Sequence, residues 1–356
     1  MERVSGAGPI RIKLLGKWKP GNDGAGWRKR FPGGETRWEN CEFIMDRDER
    51  DYDWLVVWDD LPSVAGERHT LWEEELACPR EHTLLVTTEP STIKSYGSRF
   101  LRQFGWVLTS QEPWAIGNHP GGIYRQTGYV WYYAHNEPRG SYDAIREHVP
   151  LDKTGEISAV CSTKRQRHTL HRRRYDFVMG LKERLPGMEL FGRGIRFVED
   201  KADALDPFKY HVAIENFHGP HHWTEKLADP FLGACMPVYY GCPNAEDYFP
   251  AESFLRIDLA DVEASAETIR KAIRDDLYGK HRDAVLESRR RVLEEYGPVA
   301  NLSRVINERH DPAAPAAPAG AAIASRHLLR RKSWVCAVAD FAEKTRASLR
   351  HKGQRA

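Results

Sequence analysis

Two pairs of polar residues in the second half of the chain could bind a ligand together. Glu215 and Asn216 follow an apolar run over residues 211–214, and Glu225 and Lys226 open a predicted helix. A lysine at the start of a helix can meet a phosphate, because the helix N-terminus also favours negative charge. A carboxylate at the same place can accept hydrogen bonds from sugar hydroxyls. These residue types therefore indicate a site for a phosphorylated ligand that carries hydroxyl groups.

The elements around these residues follow the order strand, loop, helix, strand. A polar loop separates the first apolar run from Thr224, which is a good N-cap for the helix. Gly233 ends the helix, and a second apolar run follows over residues 236–240. This order is typical of a doubly wound sheet, in which ligands lie beyond the carboxyl ends of the strands. Pro230 falls inside the predicted helix, where we expect a kink.

A longer helix is predicted over residues 168–185, and it carries many basic residues. Basic runs cover residues 164–167 and 172–174, and their density is typical of a surface that binds a polyanion. A helix spreads three consecutive arginines over more than half of its circumference. One or two of them can therefore face a ligand, while the others form a solvated basic face.

The block from residue 210 to residue 259 resembles the donor-binding half of family 10 glycosyltransferases, the α-1,3/1,4-fucosyltransferases. In that family a strand ends in Glu-Asn, a helix opens with Thr-Glu-Lys, and Gly-x-Pro and Pro-x-x-Ser-Phe follow. The corresponding residues of this chain are Glu215-Asn216, Thr224-Glu225-Lys226, Gly241-Cys242-Pro243 and Pro250-Ala251-Glu252-Ser253-Phe254. The segment 191–194, Phe-Gly-Arg-Gly, adds a further match. The resemblance covers about residues 157–258 and is thin before residue 150.

The resemblance implies an α/β fold of the GT-B-like type, in which two Rossmann-like domains face a cleft. It also implies an inverting enzyme that moves fucose from GDP-fucose to a hydroxyl of a glycan acceptor. Arg174 precedes Leu181 at the distance that separates a diphosphate-binding arginine from a core leucine in the family. Arg174 and Lys226 would bind the diphosphate, and Glu225 would hold sugar or ribose hydroxyls. Glu215 and Asn216 would complete the donor site.

His222 departs from the family pattern, which has a tyrosine before Thr-Glu-Lys. We include His222 among the donor-binding residues, and the departure leaves room for another nucleotide sugar such as GDP-mannose. His218, His221 and His222 form a cluster on a loop, but no acidic ligand pattern accompanies them. We therefore expect no bound metal and no cofactor beside the donor substrate.

The catalytic base is expected in the first half of the chain, because inversion requires a group that takes the acceptor proton. Glu89 follows the apolar run 83–87 and precedes Pro90-Ser91, which resembles the loop in which the family carries its base. Asp59 and Asp60, at the end of another apolar run, are the alternative. The triplet 51–53, Asp-Tyr-Asp, precedes a strand instead of ending one, so we interpret it as a chance match to a metal-nucleotide motif.

Apolar runs and punctuating residues divide the chain into four predicted parts. Residues 1–150 form an acceptor-binding α/β domain, with strands over 10–18, 54–58, 83–87, 106–109 and 129–134. Residues 151–310 form the donor-binding α/β domain, with a charged helical segment over 262–296. An Ala/Pro-rich linker covers residues 311–325, and a basic amphipathic tail covers residues 326–356.

Composition, charge and the placing of the cysteines favour a cytoplasmic protein, while the partners that we expect, a GDP-sugar donor and a glycan acceptor, are those that the resemblance implies. The chain has 356 residues, enough for two domains, and a formal net charge of +2, which gives no reason to expect nucleic acid. No apolar run is long enough to span a membrane, and the first residues lack an apolar signal segment. The six cysteines are scattered, which indicates neither a zinc site nor a disulfide scaffold.

The tail leaves two further interpretations open. It holds nine lysines and arginines against Asp340 and Glu343, a formal charge of +7, and its apolar residues could form one face of a helix. Such a helix could lie on the inner face of an anionic membrane as a peripheral contact. Together with the basic helix, the tail also allows a different class of protein, a non-catalytic polyanion binder.

Overall fold

Short runs of apolar and β-branched residues form the strands of two sheets that are mostly parallel. The computed structural model describes residues 8–18, 24–64, 66–136, 139–162 and 170–353. The chain divides into two compact units, the first within Met1–Thr127 and Val299–Ala356 and the second within Gly128–Pro298. Each unit is an α/β structure, and this confirms the predicted fold class of two α/β domains.

In the described residues of the first unit, seven strands form one sheet: β1 (Ile10–Gly16), β2 (Arg37–Trp38), β3 (Cys41–Ile44), β4 (Trp54–Trp58), β6 (Thr83–Val86), β7 (Trp106–Thr109) and β8 (Gly122–Tyr124). They lie in the order β2-β3-β1-β4-β6-β7-β8. All neighbours are parallel except β2 and β3. The central strands are buried along nearly their whole length, as expected where both faces of a parallel sheet are covered.

A smaller antiparallel pair and several helices complete the first unit. The pair joins β5 (Glu73–Glu75) to β14 (Ala322–Ala324). The helices are α1 (Ala25–Arg28), α2 (Ser98–Leu101), α9 (Pro298–Asn307), α10 (Arg326–Lys332) and α11 (Trp334–Gly353), and α9 begins on the last residue of the second unit.

The second unit contains a five-stranded sheet formed by β9 (Gly155–Val160), β10 (Glu189–Phe191), β11 (Phe208–Ile214), β12 (Met236–Tyr240) and β13 (Leu255–Arg256). The strands lie in the order β10-β9-β11-β12-β13, and every pair of neighbours is parallel. Its helices are α3 (Tyr142–Glu147), α4 (His171–Arg184), α5 (Glu225–Leu232), α6 (Val262–Arg274), α7 (Leu277–Lys280) and α8 (Arg282–Glu294). The helix α5 continues through Pro230 to Leu232.

The observed units depart from the predicted ranges 1–150 and 151–310. Residues 128–150 belong to the second unit, where Tyr133 donates to Asp206 at 2.8 Å and the Arg289 guanidinium donates to the carbonyl of His148 at 2.9 Å. The segment 129–134, predicted as a strand, has no regular structure and is held by such side-chain contacts. Residues 299–310 belong to the first unit, where Asn301 donates to the carbonyl of Gln126 at 3.0 Å.

The C-terminal segment also differs from the prediction of a linker and a separate tail. Residues 322–324 of the predicted linker form β14, because their backbone pairs with β5. The predicted tail forms α10 and α11, which belong to the first unit and pack against its other elements. Glu343 accepts hydrogen bonds from the backbone and hydroxyl of Ser98 at 2.8 and 2.6 Å, and Arg326 pairs with Asp60 at 3.2 Å. Among the described residues, no helix combines the length and the apolar character that crossing a membrane requires.

Candidate functional site

The end of β11 is tied to the start of α5 by the buried carboxylate of Glu215. One of its oxygens accepts a hydrogen bond from the backbone N–H of Thr224 at 2.8 Å, and the other accepts from the Thr224 hydroxyl at 2.7 Å. The Thr224 hydroxyl in turn caps the helix by accepting from the N–H of Lys226. Glu215 therefore fixes where α5 begins and where its first residues point.

Gly241, which follows β12, leaves the space that the Glu215 side chain occupies. A Cβ atom at position 241 would lie 2.3 Å from the Cγ atom of Glu215 and 2.6 Å from the Tyr239 hydroxyl. Real Cβ atoms do not approach heavy atoms so closely, so a side chain here would displace the carboxylate. The Gly-x-Pro motif of the sequence thus has a physical role in this fold.

Burial controls the charge of Glu215. Desolvation raises its pKa to about 7, although the ammonium of Lys226, 4.0 Å from the carboxylate, acts in the opposite direction. The carboxyl therefore holds a proton more readily near neutral pH than an exposed glutamate does. A protonated Glu215 would reduce the negative charge next to any anion bound at this helix start.

Glu225 and Lys226 form a close ion pair at the first turn of α5, with the Lys226 ammonium 2.6 Å from the Glu225 carboxylate. Burial by itself would raise the pKa of Glu225, but the positive charges of Lys226 and Lys201 outweigh it and lower that pKa to about 2. Both groups are charged at neutral pH. Lys226 thus offers an ammonium, and Glu225 an acceptor, at the N-terminus of a helix.

Arg174 approaches the same region from α4. Its guanidinium donates to the side-chain oxygen of Asn216 at 3.0 Å. The Nε atom of Arg174 is buried and has no hydrogen-bond partner within the described part of the chain. A buried N–H group without an acceptor is costly, so this atom is suited to meet an acceptor oxygen supplied by a ligand.

These groups surround a cavity of about 330 Å³ in the second unit. Arg174, Glu225 and Lys226 line it, and the sequence predicted all three. Tyr132 and Lys201 line it as well, and the sequence analysis missed both. Lys201 pairs with the buried Asp229 at 2.7 Å, and the side chain of Asp229 also accepts from the backbone of Tyr132 at 3.0 Å. No local motif marks either residue, because Tyr132 lies in an irregular segment and Lys201 in a short 3-10 turn.

Charge and shape make the cavity suitable for an anion. Three basic side chains, Arg174, Lys201 and Lys226, converge on it, and Glu225 provides an acceptor beside them. The cavity lies where β9 and β11 end and α5 begins, the position at which parallel sheets commonly bind nucleotides. A diphosphate joined to a sugar matches these features, since it presents oxygens to the cations and hydroxyls to the carboxylate.

The predicted residues Glu215, Asn216 and His222 lie around this cavity in different ways. Glu215 and Asn216 contact the lining residues Lys226 and Arg174 through their side chains. His222 is buried elsewhere, with its Nδ1 3.1 Å from the hydroxyl of Tyr129, and it is not among the residues that line the cavity. Burial, reinforced by the charge of Lys226, lowers the pKa of His222 to about 3.

The other histidines of the loop face different partners. The Nδ1 atom of His221 lies 2.6 Å from the hydroxyl of Tyr248, and the ring of His218 lies against Tyr240. Within the described ranges no three His, Cys, Asp or Glu side chains are grouped as metal ligands would be.

Glu89, the predicted base, lies in the first unit in the loop after β6. Its side chain is exposed and lines a cavity of about 550 Å³. The backbone carbonyl of Glu89 accepts a hydrogen bond from the Gln111 amide at 2.7 Å, which holds the loop in place. The carboxylate is thus presented at the carboxyl edge of a parallel sheet, where a substrate can reach it.

The alternative bases are engaged in ion pairs. Asp59 pairs with Lys94 and accepts from the Tyr96 hydroxyl at 2.7 Å. Burial would raise the pKa of Asp59, but Lys94 and these hydrogen bonds lower it below its usual value. Asp60 is buried and pairs with Arg326. Both carboxylates are therefore held by cationic side chains.

The triplet 51–53 has a structural explanation. Asp51 pairs with the side chain of Arg11, and Asp53 accepts from the Arg11 backbone N–H at 2.8 Å. Both carboxylates thus bind Arg11 at the start of β1. The basic run 164–167 lies outside the described residues, so the structure gives no view of that predicted surface.

A comparison with protein families finds a match over the segment that supplies all but one of the residues lining this cavity. Residues 150–281 match the model of "Glycosyltransferase family 10 (fucosyltransferase) C-term". The resemblance found in the motifs of the second half is confirmed by this match. The matched residues include Arg174, Glu225 and Lys226 of the cavity.

Individual relatives match over short segments. A fucosyltransferase-like protein of Arabidopsis thaliana is 37% identical over 73 residues, which is 20% of this chain and 14% of that protein. The alpha-(1,3)-fucosyltransferase FucT of Helicobacter pylori is 30% identical over 60 residues, which is 17% of this chain and 13% of that protein. The matched segment thus spans about a seventh of the length of these curated relatives. A crystal structure of an alpha1,3-fucosyltransferase aligns with 84% of this chain and 95% of its own, at 15% identity and a TM-score of 0.49.

Proposed function

We propose that the protein is an inverting glycosyltransferase that moves fucose from GDP-fucose to a hydroxyl group of a glycan acceptor. The observation that carries the proposal is the cavity of the second unit, where Arg174, Lys201 and Lys226 converge beside the acceptor Glu225. The match of residues 150–281 to a fucosyltransferase domain family supports the same function. Together they favour a nucleoside diphosphate sugar over other anions.

In this proposal the diphosphate is the leaving group and the cations stabilise its growing charge. Arg174 and Lys226 contact the phosphate oxygens, and the buried Nε atom of Arg174 gains the acceptor that it lacks in the protein alone. Such preorganised charge lowers the barrier because it requires no rearrangement during the reaction. These side chains supply positive charge that some other transferases take from a metal ion. Glu225 accepts hydrogen bonds from sugar or ribose hydroxyls.

Glu89 acts as the base in the same proposal. The acceptor hydroxyl gives its proton to the Glu89 carboxylate while its oxygen forms a bond to the anomeric carbon of fucose. The bond from that carbon to the diphosphate breaks, and GDP leaves from the opposite face, so the configuration inverts. The exposed position of Glu89 supports this role, as do the ion pairs that occupy Asp59 and Asp60.

Two alternatives differ from this function in what they bind. A transferase of the same kind could use GDP-mannose, since a histidine at position 222 replaces the family's tyrosine. A non-catalytic polyanion binder would use basic surfaces and would show steep salt dependence without preferring a nucleotide. A thermal unfolding series separates the three. The melting temperature is measured with GDP, GDP-fucose, GDP-mannose, UDP and heparin, for the native chain and for Lys226→Ala.

A ligand that binds the folded state raises the melting temperature in proportion to the logarithm of its concentration over Kd. We expect shifts with GDP and GDP-fucose that shrink in Lys226→Ala and persist in Lys271→Ala, which removes an exposed lysine of α6. A larger shift with GDP-mannose than with GDP-fucose would indicate that GDP-mannose is the donor. A shift with heparin and with none of the nucleotides would refute the proposed donor site and favour the polyanion binder.

We also propose that the outer face of α11 makes a peripheral contact with an anionic membrane. Trp334, Val338, Phe341 and Leu349 recur on one side of this helix, and Trp334 and Phe341 are 76% and 72% exposed. The opposite side carries Cys336 and Ala347, which are buried. An apolar stripe flanked by lysines and arginines suits a surface of anionic lipid.

Vesicle binding tests this contact. We expect the protein to sediment with vesicles that contain phosphatidylglycerol and to remain free with phosphatidylcholine alone. The double variant Trp334→Glu, Phe341→Glu should lose the binding, whereas Phe197→Glu, at a phenylalanine that is 66% exposed in the second unit, should retain it. Equal sedimentation of both variants would contradict the proposal.

A further inference from the structure

A second cavity of the first unit, about 400 Å³ in volume, is lined by none of the residues assigned to the proposed reaction. It lies between the loop after β6, the loop after β7 and the inner side of α11. Gln111, Trp114, Arg346 and Arg350 are among the residues that line it. Its volume falls within the range of sites that bind small molecules.

Gln111 carries an unsatisfied acceptor in the wall of this cavity. The residue is 2% exposed, and its side-chain NH2 group donates to the backbone carbonyls of Glu89 and Lys94 at 2.7 and 3.0 Å. These two bonds fix the orientation of the amide, since the reverse orientation would place an oxygen against two carbonyls. Its Oε1 atom is left buried without a partner among the described residues. Such an oxygen is suited to accept a hydrogen bond from a ligand, for example from a hydroxyl group.

Positive charge surrounds this acceptor. Arg102, Arg346 and Arg350 line the cavity with exposed side chains, and no ion pair to a described carboxylate is formed by any of the three. Glu343, the carboxylate that lines the cavity, is held by the backbone and hydroxyl of Ser98. Unpaired guanidinium groups in a concave site favour a carboxylate or a phosphate.

Trp114 adds an apolar wall. The centre of its ring lies 4.5 Å from the guanidinium of Arg350, a cation–π contact between two residues that line the cavity. An aromatic face beside hydrogen-bonding groups is suited to a ring that is apolar on one side and polar at its edge. A sugar ring has these properties.

We infer that this cavity binds an acidic saccharide, with a hydroxyl group donating to Gln111 and a carboxylate or phosphate between Arg346 and Arg350. Gln111 also holds the carbonyl of Glu89, so the bound sugar lies next to the loop that carries the proposed base. The cavity is then a subsite for an acidic acceptor glycan. This acceptor role rests on the proposed transfer reaction, whereas binding itself does not.

Binding is measured by calorimetry on the full chain without any nucleotide sugar. The probes are a disaccharide that ends in glucuronate, the neutral disaccharide that ends in glucose, glucose 6-phosphate and inorganic phosphate. We expect the acidic saccharides to bind at least about tenfold more tightly than the neutral one, because each charge-assisted hydrogen bond adds to affinity. The preferred acidic probe shows whether the site takes a carboxylate or a phosphate.

Variants locate the binding. Arg346→Gln and Arg350→Gln should each lower the affinity for the acidic saccharide about tenfold and leave the affinity for the neutral saccharide unchanged. Arg331→Gln, at an exposed arginine of α10 that does not line the cavity, is the matched control and should change nothing. Equal loss in Arg331→Gln, equal binding of the neutral sugar, or inorganic phosphate binding as tightly as the saccharides would overturn the inference. Saccharide binding of the expected kind without any GDP-dependent melting shift would support the subsite and refute the transfer reaction.

Discussion

Both oxygens of the Glu215 carboxylate accept hydrogen bonds from one residue, Thr224, which begins the helix that carries Lys226. The strand end and the helix start are therefore joined by a single buried side chain. Through these two hydrogen bonds, Glu215 helps to set the direction of the Lys226 ammonium although Glu215 itself does not line the cavity. The Glu-Asn and Thr-Glu-Lys motifs are thus two halves of one structural unit.

The protonation of Glu215 should make stability depend on pH. Burial raises its pKa from 4.5 to about 7, so the folded state holds a proton that the unfolded state releases. The free energy of unfolding should therefore fall as pH rises from about 4.5 to 7, by up to about 3 kcal/mol from this group. Glu215→Gln cannot titrate and should lack this decrease.

Urea unfolding across that pH range measures the effect as a difference between the native chain and the variant. The difference is needed because the lowered pKa of the buried His222 acts in the opposite direction. Glu183→Gln, at an exposed position of α4, should keep the native pH dependence. An identical slope in Glu215→Gln would show that Glu215 is not the titrating group.

Gly241→Ala should disturb the site without removing any charged group. The added Cβ would meet Glu215 and Tyr239, so we expect a loss of about 1–3 kcal/mol in the free energy of unfolding and weaker GDP binding. Gly187→Ala is the matched control, because no atom lies within 4 Å of its added Cβ. Denaturant unfolding and calorimetry with GDP measure both effects. Native-like stability of Gly241→Ala would contradict the close packing.

Arg174→Gln should weaken the binding of GDP and of pyrophosphate by about tenfold to a hundredfold, because it removes a charged donor pair. Arg174→Lys keeps the charge but loses the planar fork, so its affinity should be intermediate. Arg172→Gln, two residues earlier on the same helix and exposed, should bind both ligands as the native chain does. Equal losses for the variants at 172 and 174 would indicate a general effect of charge.

Glu89→Gln should reduce the rate of fucose transfer by about 10²–10⁴ while leaving the GDP-dependent melting shift intact, since general base catalysis contributes about that factor. Transfer is followed with radiolabelled GDP-fucose and a panel of glycans. Glu81→Gln, at an exposed glutamate of the same unit, should retain the native rate. Full transfer activity in Glu89→Gln, together with loss of activity in Asp59→Asn, would indicate that Asp59 is the base instead.

Local features of the sequence predicted the framework of the site. The runs 54–58, 106–109 and 236–240 form strands with those same bounds, because continuous apolar residues between turn residues suit a buried parallel strand. Thr224 caps α5 as its residue type predicts. The predicted helix over 262–296 instead forms three helices, and Asp276, with a left-handed backbone, lies where the second begins. Propensity along the chain did not show that break.

The tertiary structure decided which distant side chains complete each cavity. Lys201 and Tyr132 join the predicted residues of the second unit because the buried Asp229 holds them both, and no pattern links these three positions in the sequence. Gln111 and α11 form a cavity in the first unit because the chain returns there after residue 298. Hydrophobic periodicity and capping act over a few residues and can be read locally. Buried hydrogen bonds and ion pairs depend on which segments meet, and only the folded chain determines that.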